Sequence, residues 1–215
     1  MSYYTRNLPH WHPANATYFI TFRLAGSLPL ESIRNLKHKR QELIAQLSHN
    51  QDNQQSLLRS HIEMKIFKRY EDLLDGHRHG PQWLSVPNIA KLVAESIEYR
   101  NGSEYFLYAY CIMPNHVHMV VKPINFESNK RSYSKSHLTK ILQKLKSYTA
   151  RVANKELDKK GPFWQSESYD HVIQDMDEFE RTIAYTLNNP VKAGLAEQWR
   201  DWPYTYCNAE FAPDF

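Results

Sequence analysis

The sequence predicts an α+β protein, with an antiparallel sheet carrying packed helices. Three observations lead there. Segments 16–25, 104–113 and 116–122 are rich in β-branched and aromatic residues, the composition of strands. Between and after them, apolar residues recur at helical spacing over 30–47, 57–74, 87–99 and 136–157. The second and third strands are joined only by Met113-Pro-Asn115, and a connection that short allows only an antiparallel hairpin.

Residues 1–13 are aromatic and polar, with Pro9 and Pro13 opposing regular structure, and are expected to form an arm (1–15). In the first strand Tyr18, Ile20, Phe22 and Leu24 alternate with Thr17, Phe19, Thr21 and Arg23, giving one apolar and one mixed face. Residues 26–29 stop it. Helices over 30–47 (Ile33, Leu36, Leu43, Ile44, Leu47), 57–74 (Ile62, Ile66, Tyr70, Leu73) and 87–99 (Ile89, Leu92, Val93, Ile97) follow, so 30–100 is expected to be a helical insertion. After the hairpin, 124–134 is loop-like and 136–157 is helical, burying Leu138, Ile141, Leu142, Leu145 and Val152 by their spacing. A strand-like stretch at 169–173 precedes a helix over 177–187 that Asn189-Pro190 is expected to stop. Pro190 then opens a turn that Gly194 ends. The 199–215 tail holds aromatics without a clear period. The expectation is one domain over 1–215, with the hairpin and following helix at 104–157 and a C-terminal extension at 163–215.

At 215 residues the chain can bury a real core. Its two cysteines, Cys111 and Cys207, lack the CxxC spacing of a zinc ribbon, and no disulfide framework follows. The longest apolar run, 105–113, is far short of the ~20 residues of a membrane span. The first ten residues lack a signal-peptide apolar core. A cytoplasmic protein is expected, with no membrane partner. Net charge is +4 but unevenly spread. From Lys122 to Lys160 eleven basic residues face three acidic ones, whereas from Gln165 to Phe215 three basic face ten acidic. A basic middle suits a polyanion, or else a solvated helix face.

Three His-x-His pairs occur, and two of them, His10/His12 and His77/His79, fall in the arm and a turn with no rigid element to aim them. The third, His116/His118, lies in a strand. Residues two apart share a face, so both imidazoles stand on one side while Val117, Met119 and Val121 occupy the other. Such a pair is either two ligands of one metal ion or two interior histidines satisfied by neighbours. With oxygen ligands and open positions added, Mg²⁺ or Mn²⁺ could be held against a phosphate. On the 136–157 helix, Tyr148 lies at the margin of the apolar stripe, with Lys144, Arg151 and Lys155 at offsets −4, +3 and +7. Cations beside a phenol favour its ionised, nucleophilic form. The alternative is a packing tyrosine with its hydroxyl in water.

Taken together, Met113-Pro-Asn-His-Val-His118 resembles the HUH motif of single-tyrosine, single-strand DNA transposases, and Lys146-Ser-Tyr148 resembles their tyrosine helix. Ala16-Thr-Tyr-Phe-Ile-Thr-Phe-Arg23, Phe163-Trp-Gln165, Tyr169-Asp-His-Val-Ile173 and Asn189-Pro-Val-Lys-Ala-Gly-Leu195 are similar to the REP-associated tyrosine transposases in particular. The resemblance implies a ferredoxin-like antiparallel sheet of HUH type with both histidines on a central strand. It implies a divalent ion, Mg²⁺ or Mn²⁺, on His116 and His118, and attack by Tyr148 to leave a 5′-phosphotyrosine. It also implies single-stranded hairpins of palindromic REP-like repeats as partners, met by Lys144, Arg151 and Lys155 and by the arm through Tyr4, Arg6 and Asn7. A monomer or a homodimer fits. Val152 stands where many relatives carry a Gln metal ligand, leaving Asn154, Gln143 and His171 as candidates for a third ligand. That departure also suggests an alternative, a non-catalytic hairpin-binding protein derived from a transposase.

Overall fold

The computed structural model describes residues 2–5, 9–13, 15–47, 55–76, 80–124 and 137–213. The chain divides into two compact units, one of residues 1–25 with 82–215 and one of residues 26–81.

The first unit is built on a five-stranded antiparallel sheet. Its strands are β3 (Tyr18–Arg23), β4 (Tyr105–Ile112), β5 (His116–Pro123), β6 (Tyr169–Val172) and β7 (Thr205–Cys207), in the spatial order β6-β3-β5-β4-β7. The α+β expectation therefore holds, and the histidine strand is central. One face carries Tyr18, Ile20 and Phe22 of β3, with Leu24 just past its end, and Val117, Met119 and Val121 of β5. Packed into the same core are Ile89, Val93 and Ile97 of α3 (Pro87–Glu98) and Leu138, Ile141 and Leu145 of α4 (His137–Glu156). Two buried tyrosines tie the sheet to α3: the Tyr105 hydroxyl donates to the Ile97 carbonyl at 2.6 Å and that of Tyr110 to Glu98 Oε1 at 2.6 Å.

A β-bulge at Tyr108 shifts the register between Leu107 and Ala109. The extra residue lets Leu107, Tyr110 and Ile112 all join the α3/α4 core although their numbering changes parity. Tyr108 itself packs against Phe106, Phe179 and Phe211. On the other face of the sheet lies α5 (Met176–Lys192), opened by an Asp175 cap that accepts from the Glu178 N–H at 2.8 Å.

Several sequence expectations are corrected. Residues 1–13 include a two-stranded ladder, β1 (Ser2–Thr5) with β2 (Pro9–His12). Pro9 is tolerated because it opens its strand, where a ladder can spare one N–H. Helix α5 continues through Pro190 to Lys192. A proline φ is already helical, and only the last turn loses a bond. Gly194, at φ +68°, is the left-handed residue that closes the end, as expected, with Leu195 N–H donating to the Pro190 carbonyl at 2.8 Å. The tail contributes the edge strand β7, which its sequence does not announce. On α4 the stripe runs through Thr149 and Ala153, and Val152 is only half-buried. Helix α3, within the sequence-predicted insertion, belongs to the sheet's own core.

The second unit holds α1 (Leu30–Leu47) and α2 (Gln55–Gly76), with Leu36, Leu47, Ile66 and Leu74 buried. Its ends approach closely, since a Cβ on Gly80 (φ +117°) would lie 2.9 Å from the Gly26 carbonyl oxygen, a gap only glycine permits. His77 and His79 lie outside the described residues, as does most of the 124–134 loop. No described helix is long and apolar enough to cross a membrane.

Candidate functional site

Strand alternation puts His116 and His118 on the face away from the α3/α4 core, both almost wholly buried. Their rings are 4.5 Å apart and nearly perpendicular, and the two Nε2 atoms are 2.9 Å apart. Each Nδ1 is held from behind. Asn115 Oδ1 lies 2.5 Å from His116 Nδ1, and a carbonyl oxygen can only accept, so that nitrogen carries the hydrogen and Nε2 is the ring's lone-pair nitrogen. Thr21 Oγ1 stands 2.9 Å from His118 Nδ1, because β3 pairs with β5 in the register Thr21↔His118. Phe19 stacks on the His118 ring at 5.5 Å and Tyr185 of α5 meets it edge-on at 5.7 Å.

Burial pushes His116 down to about 3. For His118, burial, then the His116 and Lys192 charges, hold it well below the ordinary histidine range. Both imidazoles are therefore neutral near pH 7, the form that binds metal. Two neutral rings with opposed Nε2 atoms either share a single hydrogen, with Thr21 donating to His118, or turn two lone pairs on one cation. The donor set fits a divalent ion: two imidazole nitrogens on a rigid strand, each braced at its other nitrogen.

The remaining candidates lie elsewhere. Tyr148 is 43% exposed on α4, with the Arg151 guanidinium 5.9 Å from its ring centre. Lys144 is paired with Glu104 at 2.7 Å, while Lys155 is exposed. The buried side of α4 packs on the Val117/Met119/Val121 face, so the tyrosine helix and the imidazoles occupy opposite layers of the sheet. Tyr4 falls in β1, and Arg6 and Asn7 lie outside the described residues.

Of the third-ligand candidates, Gln143 is exposed on α4, and Asn154 donates from α4 to the Gly161 carbonyl at 2.9 Å. His171 pairs with Phe19 on β3 and so shares the imidazole face, yet its Nε2 is engaged by Glu178 Oε1 at 2.8 Å.

The sequence did not single out Asn115, Thr21, Arg23, Tyr185 or Lys146. Asn115 was discernible as the residue beside His116. Thr21 and Arg23 face His118 and His116 only once the β3–β5 register is known. Lys146, mostly buried, reaches the Gln165 carbonyl at 2.6 Å, the Ser166 carbonyl at 3.2 Å and Ser168 Oγ at 3.1 Å. Burial, with the Arg23 charge, pushes it down to about 7 against the opposing influence of Glu167. It thereby fastens α4 to segment 165–168, two residues before Tyr148.

Comparison with known proteins bears on the fold and the family. Residues 89–189, from within α3 to the last turn of α5, match the family described as Transposase IS200 like. A Haemophilus influenzae protein provisionally named REP-associated tyrosine transposase is 30% identical over 115 residues, which is 50% of this chain and 63% of that protein, so the match spans less than two thirds of the relative. A solved structure of a REP-associated tyrosine transposase bound to a REP hairpin shares the fold. Its TM-score is 0.52 at 14% identity, covering 95% of this chain and 82% of that one.

Proposed function

We propose that this chain, related to the IS200-like transposases through residues 89–189, is a metal-dependent endonuclease and strand transferase acting on single-stranded hairpins of palindromic REP-like repeats. The observation that carries this reading is the facing pair of neutral imidazoles, each braced at Nδ1, on the central strand of a fold shared with a hairpin-bound relative. His116 and His118 would hold Mg²⁺ or Mn²⁺, which when bound supplies Lewis-acid polarisation of the scissile phosphate. The Tyr148 hydroxyl gives up its proton and attacks phosphorus. The bond to the 3′ oxygen breaks, that oxygen takes a proton, and a 5′-phosphotyrosine remains with the bond energy kept for rejoining. Arg151 and Lys155 would contact neighbouring phosphates. Lys144, already paired with Glu104, would exchange that partner for a phosphate. The arm, through Tyr4, Arg6 and Asn7, would hold the strand further along.

The test is incubation of the protein with a labelled repeat hairpin and Mn²⁺. A covalent protein–DNA adduct is expected from the native chain and none from Tyr148→Phe. An adduct with Tyr148→Phe would remove the tyrosine from its role.

A second reading is a hairpin-binding protein without catalysis, favoured by Val152 at the position of the family's Gln and by the separate layers of α4 and the imidazoles. Hairpin binding indifferent to chelator and to Tyr148→Phe, with no cleavage, would select it.

A further inference from the structure

Helix α5 is laid over the imidazole face, and its C-terminal half bears a stripe of Tyr185, Asn189 and Lys192 at spacings of four and three. Tyr185 meets both Phe19 and the His118 ring, at 5.9 and 5.7 Å. The Lys192 charge reaches His118 as well. Asn189 lies between these two on the stripe and is 1% exposed.

Its amide is oriented by the backbone. Nδ2 donates to the Tyr185 carbonyl at 2.9 Å, and since a carbonyl accepts only from N–H, the amide oxygen must face the other way. That oxygen, Oδ1, is buried without a hydrogen-bond partner among the described residues. A buried carbonyl oxygen left unpaired costs about 1–3 kcal/mol, so it gains from any partner that reaches it, a bound cation among them.

The run of the helix carries Asn189 along the imidazole face. Glu178, near the start of α5, bonds His171, which pairs with Phe19 and so stands level with Val120. Tyr185, two turns on, meets Phe19 and His118. Asn189 follows one turn further along α5, in the direction that leads from the Val120 level to His118.

We propose that Asn189 Oδ1 is an oxygen donor to the divalent ion held by His116 and His118, taking the part that Val152 cannot. The inference rests on the reading of the histidine pair as a metal site. It also assigns a purpose to Asn189-Pro-Val-Lys-Ala-Gly-Leu195: the asparagine approaches the ion, while Pro190 and Gly194 shape the helix end that presents it.

Mn²⁺ affinity of the full chain, measured by calorimetry without DNA, tests it. Asn189→Leu should weaken Mn²⁺ binding about 10–100-fold, as loss of a group supporting a metal does. Asn189→Asp, which loses the Tyr185 bond but offers a charged oxygen, should bind Mn²⁺ at least as tightly as the native chain. A purely structural asparagine would make both variants equally weak, and that result, or unchanged affinity in Asn189→Leu, overturns the proposal. In the native chain the Asn189 side-chain amide ¹⁵N resonance should shift on Mg²⁺ titration, which needs no variant, and an unmoved resonance also overturns it. Absence of any Mn²⁺ binding by the native chain would instead sink the metal reading of the histidines.

Discussion

The two faces of the central sheet have opposite characters, although both depend on β5. On the imidazole face, ionisable and polar groups are buried and fixed: His116, His118, Thr21 and Arg23 are all under 5% exposed and paired in register. On the other side, α4 turns a plain apolar stripe inward and leaves Tyr148, Arg151 and Lys155 to solvent. The difference teaches how the chain divides its chemistry. On the proposed reading, metal ligands gain from burial, which keeps imidazoles neutral and aimed without a rearrangement on binding. The proposed nucleophile and phosphate contacts would have to meet a polymer, which suits an exposed helix anchored from below by Lys146.

The largest expected effect separates the two sides by metal affinity. His118→Ala should lower Mn²⁺ affinity by about 100-fold or more and abolish nicking. Tyr148→Phe should abolish the adduct while leaving Mn²⁺ affinity unchanged by calorimetry, and a shared loss would break the division.

Acid sensitivity should belong to the imidazole face. In the unfolded chain His116 takes up a proton near 6.5, whereas in the folded chain it does so only near 3. The unfolded state thus binds more protons in that window, and stability should fall as pH drops from about 6.5 toward 3, by at most about 1.4 kcal/mol per pH unit for one group. Denaturant titrations across the window should show a slope that His116→Gln flattens. An unaltered slope would place the acid sensitivity elsewhere.

The smallest effect lies on the exposed helix. Arg151→Gln should weaken hairpin binding only a few-fold and lower the salt dependence of the affinity by about one unit, without touching Mn²⁺ binding. A base-specific rather than uniform loss would mean that Arg151 reads sequence.

Much of the site was legible beforehand because its signals are local. Period-two alternation put His116 and His118 on one side of a strand, and helical spacing put Arg151 beside Tyr148. Asn115 was visible only as the neighbour of His116, and Thr21 and Asn189 were not legible as functional groups. Thr21 lies 97 residues from His118, and only the antiparallel register brings them to 2.9 Å. Pro190 hid the full length of α5, because a proline that ends most helices costs little in a last turn. The bulge at Tyr108 and the edge strand β7 were invisible for a related reason, as both depend on the strand alongside.

The sequence by itself determined the α+β class, the His-x-His hairpin and the helix carrying Tyr148, since short-range periodicity and turn length dictate these. Only the tertiary structure decided which face of the sheet each group serves and which partner meets each imidazole at Nδ1. It alone put α5, with its unpaired Asn189 oxygen, over the histidines and α4 over the opposite side. Those outcomes depend on burial and on pairing between distant segments, whose free energies exist only once the chain has closed upon itself.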